Sequence, residues 1–357
     1  MKKLRIAMVC HELNQGGGVA SYINNTNEKL IACDEIQSVR IIETTKYKGI
    51  LKLIHFTSVI ILVLFLSVTR QVDIFHIHMS SRGSTLRKII ISSICFISRT
   101  PYIVHIHSGE YPSFYLKELN KYGKTVVKFF LRKAQFVVVL GHIWKEWFSN
   151  NLNLENLITL YNAIPDISVN HTISDKRETI VFVGRLTTKK GILDLISAFN
   201  IISLSRPMCE LIIIGNDGDI VDIEASIGIS ARPRITFHGW LNSDECHSLI
   251  GKCSLLVLPS YYEGLPICIL EAMCLSKPVV ATSVGAIPEV ITNGIEGIII
   301  PPGNVSCLVN AINSILENKV LKENMGVRAR ARYEALFNIE EHTSKLTRIY
   351  STTKTSE

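Results

Sequence analysis

Cysteine patterns typical of disulfide-rich proteins are absent from this sequence. Its nine cysteines are scattered without a C-x-x-C pair, and an odd number does not make a complete disulfide framework. Internal repeats, low-complexity segments and motifs that interleave aromatic and basic residues are also absent. These absences exclude a disulfide-rich secreted domain and a repeat protein. They predict a reduced, cytoplasmic compartment and no nucleic-acid partner.

Long apolar runs are missing as well. The most apolar segment, residues 56–68, has 13 residues, well short of the ~20 that cross a bilayer at about 1.5 Å per residue. His55 and Lys52 lie just upstream, so we expect a buried or interfacial helix rather than a transmembrane one. The basic and then apolar start, residues 1–10, is similar to a signal peptide, but it ends at His11 and Glu12. We interpret it as the first β-strand.

Charge is unevenly divided between the two halves of the chain. Residues 1–170 hold 20 Lys+Arg and 11 Asp+Glu, a net charge of +9, whereas the remainder holds 18 and 20, a net charge of −2. A basic half indicates an anionic partner, and we favour a membrane surface or a lipid-linked phosphate. Residues 117–133 predict a basic amphipathic helix that either lies on an anionic bilayer or has a solvated charged face.

Strands and helices alternate along both halves, which is typical of parallel sheets with helices on each face. The 357 residues exceed one ordinary domain, and 47% hydrophobic content is ample for two cores. Residues 162–177 have no helical period and predict the linker. We therefore predict an N-terminal domain over 1–168, a second domain over 169–340, and a final helix with a frayed tail over 341–357. The predicted strands are near 5–10, 39–43, 74–78, 102–107, 136–140, 158–160, 180–183, 210–214, 235–238, 255–258, 279–281 and 297–300.

Two glutamates, Glu263 and Glu271, form the most informative motif. Glycine and proline between them mark a turn into a helix, so one carboxylate is expected on the loop and the other in the first turns of the helix. Carboxylates accept hydrogen bonds from sugar hydroxyls, and a helix N-terminus attracts phosphate. Two solvated surface charges would show the same spacing. The turn itself consists of Gly264, Leu265, Pro266 and Ile267.

A cationic turn follows the predicted strand at 180–183. Gly184 lets the chain leave the strand tightly, Arg185 offers a planar fork for phosphate oxygens, and Lys190 adds a point charge before the next helix. Two fixed cations can neutralise a diphosphate leaving group. The alternative is an exposed basic turn without a ligand.

Loops after the first strand and after the strand at 210–214 are further candidates, because ligands of α/β sheets bind beyond the carboxyl ends of strands. Gly17 and Gly18 open a helix, but the G-x-G-x-x-G spacing of a dinucleotide-binding site is missing. A loop that closes over phosphate or acceptor is therefore favoured, and a plain tight turn is the alternative. Residues 217–219 form a D-x-D triplet, a pattern that can hold a divalent metal.

Four histidines lie at the ends of two predicted neighbouring strands: His76, His78, His105 and His107. No matched set of carboxylates or cysteines accompanies them, so satisfied core histidines are favoured over a metal site. We predict no bound metal and no cofactor.

In order and spacing, these motifs resemble glycosyltransferase family 4, whose members are retaining sugar-nucleotide transferases. The resemblance covers nearly the whole chain and rests on V-G-R-L-x-x-x-K-G from Val183 to Gly191, on I-I-G-N-D-G at 213–218, on F-H-G-W at 237–240, on L-P-S at 258–260, and on E-G-L-P-x-x-x-x-E-A-M from Glu263. It implies the α/β GT-B fold, two Rossmann-like domains with a cleft between them. It also implies that the first domain binds the acceptor, that the second binds the nucleotide sugar, and that the final helix crosses back onto the first.

The resemblance also assigns roles to individual residues. It implies catalytic roles for His107, Arg185, Lys190 and Glu263, with Glu263 at the sugar hydroxyls and Glu271 at the ribose. The residues expected to bind the donor are Gly17, Gly18, Gly184, Arg185, Lys190, Gly215, His238, Gly239, Trp240, Glu263, Gly264, Leu265, Pro266, Ile267 and Glu271.

The predicted activity is transfer of a hexosyl or N-acetylhexosaminyl group from a UDP-sugar to a lipid-linked oligosaccharide during synthesis of bacterial O-antigen or capsule. We expect a cytoplasmic protein held at the inner face of the cytoplasmic membrane. The alternatives are a GDP-mannose-dependent mannosyltransferase, a sugar-nucleotide epimerase of the same fold, and a non-catalytic binding module. A nicotinamide-dependent oxidoreductase is disfavoured because the first loop lacks its glycine fingerprint.

Overall fold

The computed structural model describes residues 3–13, 17–168, 178–216 and 220–355. The chain forms two compact units. The first consists of residues Met1–Asn162 together with Ile339–Glu357, and the second of Ala163–Asn338. The division falls between Asn162 and Ala163, six residues before the boundary expected from the sequence, and most of the predicted linker, 169–177, lies outside the described residues.

The first unit is built on a six-stranded parallel sheet in the order β2-β1-β3-β4-β5-β6. Its strands, numbered in chain order, are β1 (Leu4–Cys10), β2 (Ile36–Glu43), β3 (Ile74–Met79), β4 (Tyr102–Ile106), β5 (Phe136–Val139) and β6 (Leu157–Thr159). Its helices are α1 (Gly18–Ile31), α2 (Ile50–Val68), α3 (Gly83–Ile97), α4 (Tyr111–Ser113), α5 (Lys121–Lys133), α6 (His142–Leu152) and α14 (Ile339–Thr355), with a π-helical segment at Phe114–Glu118.

Helices cover both faces of this sheet, which explains why β3 and β4 are buried along their whole length. On one face, α2, α3 and α5 pack against apolar residues that include Ala7 and Phe75. On the other face, the last helix, α14, buries Leu346 and Tyr350 against Tyr22 of α1. Residues distant in sequence thus complete the core of the first unit.

The second unit has its own six-stranded parallel sheet, in the order β12-β11-β10-β7-β8-β9. Its strands are β7 (Glu178–Val183), β8 (Cys209–Ile214), β9 (Ile235–His238), β10 (Leu255–Leu258), β11 (Val279–Thr282) and β12 (Gly297–Ile300). Its helices are α7 (Ile192–Ser205), α8 (Ile220–Ala225), α9 (Ser243–Lys252), α10 (Ile267–Cys274), α11 (Ile287–Val290), α12 (Val305–Glu317) and α13 (Lys319–Leu336), with 3₁₀ turns at Thr188–Lys190 and Arg232–Arg234.

The apolar segment of the first unit forms a longer helix than its sequence predicts. Helix α2 has 19 residues with a mean hydropathy of 2.3, which is long and apolar enough to cross a membrane by length and composition. The predicted 13-residue limit was wrong because Lys52 and His55 do not end the helix. Lys52 points outward, and His55 Nε2 lies 2.9 Å from the carbonyl oxygen of Glu43, which ties the first half of the helix to the end of β2.

Candidate functional site

Three strand-end loops of the second unit meet around Gly215. This residue has a φ of 145°, and a Cβ there would lie 1.8 Å from the carbonyl oxygen of Gly184. Its N–H donates to the carbonyl oxygen of His238 at 3.1 Å, and the Gly184 N–H donates to that of Ile214 at 3.0 Å. Glycine is therefore required where the loops after β7, β8 and β9 come together.

Glycines also bring the loops after β7, β10 and β11 together. Gly191 has a φ of 69°, and a Cβ there would lie 2.0 Å from the carbonyl oxygen of Pro259. A Cβ on Gly285, at a φ of 56°, would lie equally close to the carbonyl oxygen of Glu263. The carboxyl ends of the central strands thus form one compact edge, where α/β sheets place their ligand sites.

Lys190 and Glu263 form an ion pair at this edge. The Nζ atom of Lys190 lies 2.6 Å from Oε1 of Glu263, whose side chain is 7% exposed. Ser260 Oγ donates to the same carboxylate oxygen at 2.7 Å, and Thr282 Oγ1 donates to the backbone carbonyl of Ser260. Groups separated by 73 residues are therefore held in one hydrogen-bonded set that places a carboxylate and an ammonium side by side.

Glu271 lies in the second turn of α10 and has a separate partner. Its Oε1 lies 3.3 Å from Nε2 of His247 on α9, and both side chains are largely buried. The sequence did not identify His247, because it lies on an amphipathic helix outside any motif. The one feature of the sequence that could have pointed to His247 is its position on the helix that precedes the L-P-S motif. The two glutamates are thus oriented by different basic groups.

The start of α10 lies between the two glutamates. Pro266 is its N-cap and makes no side-chain capping bond, and Gly264, Leu265 and Ile267 are buried beside it. The Gly264 carbonyl accepts a hydrogen bond from the Ala286 N–H at 3.0 Å, which fixes the turn against the segment after β11. The positive end of the helix dipole is therefore at the same edge as the ion pair.

The remaining predicted donor-binding residues of the second unit share this edge. Arg185 is exposed, and across the part of the chain that the structure describes its side chain makes no hydrogen bond or ion pair. It lies in the same turn as Lys190, because the Thr187 N–H donates to the Arg185 carbonyl and the Lys190 N–H donates to that of Thr187. Trp240 follows β9 after Gly239 and is 38% exposed. The D-x-D residues at 217–219 lie outside the described residues.

Gly215→Ala should destabilise the second unit by about 2–4 kcal/mol, because the new methyl group meets backbone rather than a movable side chain and the φ of 145° is unfavourable for alanine. Urea unfolding followed by circular dichroism measures this loss. Gly239→Ala is the matched control, since a Cβ at Gly239 has nothing within 4 Å. Equal unfolding midpoints for the two variants would contradict the close approach of the loops.

His107, Gly17 and Gly18 lie in the first unit. Gly17 has a φ of 90° and is the N-cap of α1, with nothing within 4 Å of a Cβ placed there. His107 follows β4, and its Nε2 lies 2.9 Å from Nδ1 of His78. Burial, aided by the nearby His342, lowers the pKa of His107 to about 3. His107 is therefore an uncharged imidazole at neutral pH.

A cluster of aromatic and imidazole rings surrounds His107. The Tyr22 ring lies between 5.2 and 5.7 Å from the rings of four histidines: His78, His105, His107 and His342. Tyr22 Oη lies 3.0 Å from Nε2 of His342, and Tyr350 Oη lies 2.7 Å from Nδ1 of His76. Tyr22, His342 and Tyr350 were not found from the sequence, because α14 brings two of them from the far end of the chain.

Ring nitrogens of His76, His78 and His105 lie within 4.8 Å of one another, all in the core. The rings of His76 and His105 are stacked, with an interplanar angle of 3° and centroids 5.4 Å apart. Nε2 of His76, Nε2 of His78 and both ring nitrogens of His105 are buried and have no hydrogen-bond partner among the described residues, so the expectation that these core histidines are satisfied is wrong. Independence of metal stays a prediction.

Comparison with known proteins agrees with this site. Residues 163–332 match the family described as glycosyl transferases group 1, and these residues include the whole edge with Arg185, Lys190, Glu263 and Glu271. The matched residues make up most of the second unit, which is therefore similar to glycosyltransferase domains. This confirms the predicted enzyme class.

Two curated relatives are glycosyltransferases. The chain is 31% identical over 177 residues to the alpha-D-kanosaminyltransferase of Streptomyces kanamyceticus, a match that covers 49% of this chain and 46% of the relative. It is 26% identical over 224 residues to the capsular polysaccharide biosynthesis glycosyltransferase CapM of Staphylococcus aureus, covering 62% of this chain and 57% of that one. The chain thus spans about half the length of these curated relatives.

A solved structure matches almost the whole chain. The Anabaena protein HepE in complex with UDP-glucose superposes with a TM-score of 0.79 at 18% identity, covering 98% of this chain and 100% of that one. At this identity the likeness shows the fold. Together with the two six-stranded parallel sheets, it confirms the predicted α/β GT-B class.

Proposed function

We propose that the chain is a retaining glycosyltransferase that moves a hexosyl or N-acetylhexosaminyl group from a nucleoside diphosphate sugar to a lipid-linked oligosaccharide. UDP is the proposed nucleotide, and O-antigen or capsule synthesis the proposed context. The observation that carries the proposal is the ion pair of Lys190 and Glu263, 2.6 Å apart beside the N-terminus of α10, within a glycosyltransferase domain. This set offers a cation for a diphosphate and a carboxylate for sugar hydroxyls.

In the proposed reaction, the bond between C1 of the sugar and the β-phosphate oxygen breaks, and its electron pair stays on that oxygen. Lys190, the exposed Arg185 and the start of α10 stabilise the negative charge that develops there. The acceptor hydroxyl forms its bond to C1 on the face that the diphosphate leaves, and its proton passes to the departing phosphate oxygen. The anomeric configuration is then retained.

Glu263 is proposed to hold the sugar rather than to act as a nucleophile. Its carboxylate already accepts hydrogen bonds from Ser260 and Lys190, so it is fixed before a ligand arrives. When a diphosphate approaches Lys190, the second carboxylate oxygen can accept from a sugar hydroxyl without moving the side chain. This is preorganisation of the kind that lowers the cost of binding.

His107 is proposed to contact the transferred sugar. A neutral imidazole can donate a hydrogen bond to a sugar hydroxyl or accept one from it. Unlike an imidazolium, it places no positive charge beside C1 of the sugar, which becomes oxocarbenium-like as the bond breaks. Gly17 and Gly18, at the start of α1, are proposed to approach the donor through their backbone.

Replacing Glu271 with alanine should weaken UDP binding by about tenfold or more, because a buried carboxylate that bonds the ribose hydroxyls is lost and His247 is left without its partner. Titration calorimetry with UDP measures the change. Glu323→Ala removes an exposed glutamate from α13 and serves as the control, with binding expected to stay unchanged. Near-normal affinity in Glu271→Ala would remove this residue from the donor site.

UDP is preferred over other nucleotides because the HepE structure that matches this chain holds UDP-glucose. A thermal-shift screen against uridine, guanosine and adenosine diphosphate sugars tests the choice, because a ligand at 100 times its Kd stabilises the folded state by about 2.7 kcal/mol. We expect a selective response to a uridine diphosphate sugar. A selective guanosine response would favour the mannosyltransferase alternative, and turnover of the donor without acceptor into another nucleotide sugar would favour the epimerase.

The acceptor is proposed from charge and from the relatives. The N-terminal half carries a net charge of +9, which suits a lipid-linked phosphate at an anionic bilayer, and one relative acts in capsular polysaccharide biosynthesis. We place the enzyme in the cytoplasm at the inner face of the cytoplasmic membrane, with no nucleic-acid partner. Transfer of label from a UDP-sugar into a lipid extract tests this part.

A further inference from the structure

Helix α2 exposes far more apolar surface than a core helix does. Four of its residues are buried against the sheet: Val59, Val63, Leu66 and Ser67. Most of its other side chains are apolar and exposed, among them Ile50 at 70%, Ile61 at 63% and Phe65 at 52%. A soluble surface rarely exposes a contiguous apolar stripe of this length without a partner.

The neighbouring helix α3 extends this apolar surface to α5. All three helices pack on the same face of the sheet. Ile97 at the end of α3 is 78% exposed, and Phe96 lies edge-on to Phe129 of α5 with ring centroids 5.5 Å apart. Lys133 Nζ lies 5.9 Å and 5.8 Å from these two ring centroids, so a cation borders the aromatic pair.

These three helices contain no aspartate or glutamate. Helix α2 has one Lys or Arg and α5 has five, whereas α3 adds only the half-buried Arg87, because its Lys88 is buried and donates to the Cys10 carbonyl. Further exposed cations flank the ends of α2 and α3: Lys46, Lys48, Arg70 and Arg99. A surface that is apolar along its middle, basic along its border and free of acid matches the chemistry of an anionic lipid interface.

The connectivity of α2 excludes a transmembrane path for it. Helix α2 connects β2 to β3, and both strands pair in parallel with β1 in one sheet. A helix that crossed the bilayer would draw those strands, and the sheet with them, into the hydrocarbon region, where the loops at the sheet edges would lose their hydrogen bonds to water. The helix can therefore lie in the interface but does not span it.

We infer that the outer sides of α2, α3 and α5 form a bilayer-docking face, which inserts apolar side chains such as Ile61 and Phe65 among the headgroups of an anionic membrane while the bordering lysines and arginines contact lipid phosphates. The inference rests on the proposed function for its purpose, because a lipid-linked acceptor requires the enzyme at the bilayer. Its geometry rests on the first unit alone. In this inference, the apolar side chains of α2 insert into the membrane and the basic side chains around them add electrostatic attraction.

Vesicle flotation with the full chain tests this face. Wild-type protein should bind vesicles of phosphatidylcholine with phosphatidylglycerol, bind phosphatidylcholine alone more weakly, and lose part of its binding in high salt. The double variant Ile61→Glu/Phe65→Glu should reduce the partition coefficient by about tenfold or more. The matched control is Ile201→Glu/Leu204→Glu, which places the same charges at exposed apolar positions of α7 and should bind vesicles as the wild type does.

Three results would overturn the docking face. The first is vesicle binding by the α2 variant equal to that of the wild type. The second is resistance of the wild-type protein to alkaline extraction from membranes, which indicates a spanning helix. The third is a wild-type protein that does not bind vesicles and sediments as a dimer, while the α2 variant sediments as a monomer. That result would indicate that a second copy of the chain covers the apolar face.

Calorimetry with UDP on the same proteins separates this inference from the proposed function. If the α2 variant binds UDP normally and loses vesicle binding, both stand. If the wild type binds vesicles as expected but no nucleotide sugar, the docking face stands and the proposed function fails. If it binds and turns over a nucleotide sugar but ignores anionic vesicles, the docking face fails and the transferase remains.

Discussion

Replacing Lys190 with methionine should lower the rate of sugar transfer by about a hundredfold to a thousandfold, the effect expected when one preorganised group at a developing negative charge is removed. The ammonium group is held 2.6 Å from Glu263 beside the start of α10, so its position is set before the donor binds. The loss should appear mainly in kcat if the cation acts on the departing diphosphate. Steady-state kinetics with a saturating nucleotide sugar measure it.

Two further variants distinguish lost chemistry from lost folding. Lys189→Met removes the same charge from the neighbouring exposed position and should leave kcat within a few-fold of wild type. Lys190→Met leaves the carboxylate of Glu263 buried without its cation, which destabilises the loop, whereas Lys190→Met/Glu263→Gln removes both charges. The double variant also lacks the proposed sugar-binding carboxylate, so it serves as a folding control only, and the catalytic role of Lys190 is judged from the kcat of Lys190→Met against that of Lys189→Met. A Lys190→Met enzyme with normal kcat would contradict the assigned role.

Acidification should destabilise the first unit. Burial lowers the pKa of His76 and of His107 to about 3 and that of His342 to about 4, and it also lowers the pKa of His78 and His105 well below the ordinary value of 6.5. In the unfolded chain these groups take up protons below about pH 6.5, whereas in the folded unit they stay neutral. Their contribution to stability is therefore present above pH 6.5 and is lost as the pH falls towards 4.

The expected size of this effect follows from linkage. Each such histidine costs about 1.4 kcal/mol of stability for each pH unit below its unfolded pKa, so the three with the stated values remove about 4 kcal/mol between pH 7.5 and 5.5. In Trp240→Phe, the two remaining tryptophans, Trp144 and Trp147 on α6, report on the first unit. Urea titrations of that variant should show the loss, and a pH-independent midpoint would contradict the neutral cluster.

The strand pattern of this chain could be predicted from sequence because buried parallel strands are short apolar runs with clear ends. The strand expected at 74–78 is observed at Ile74–Met79, and that at 102–107 at Tyr102–Ile106. Helix α2 was underestimated because Lys52, together with His55, was treated as the limit of an apolar run. On a surface helix a lysine simply points outward.

The candidate site was predictable in its residue types but not in its contacts. The motif order placed Lys190 and Glu263 in one domain, yet their direct ion pair joins positions 73 residues apart. The partner of Glu271, His247, lies outside any motif, and His76 meets Tyr350 across 274 residues. Such pairs depend on which helix packs beside which strand. The spacing of residues within a motif carries no information about that packing.

The stereochemistry of donor turnover is the most direct test of the central claim that the second unit cleaves a nucleoside diphosphate sugar with retention. Proton NMR should show α-glucose, or the α-anomer of the preferred sugar, as the first product released from its UDP donor in water. Lys190→Met should release it far more slowly. Initial release of the β-anomer would contradict retention, and no turnover of any nucleotide sugar, with or without acceptor, would contradict the proposed activity.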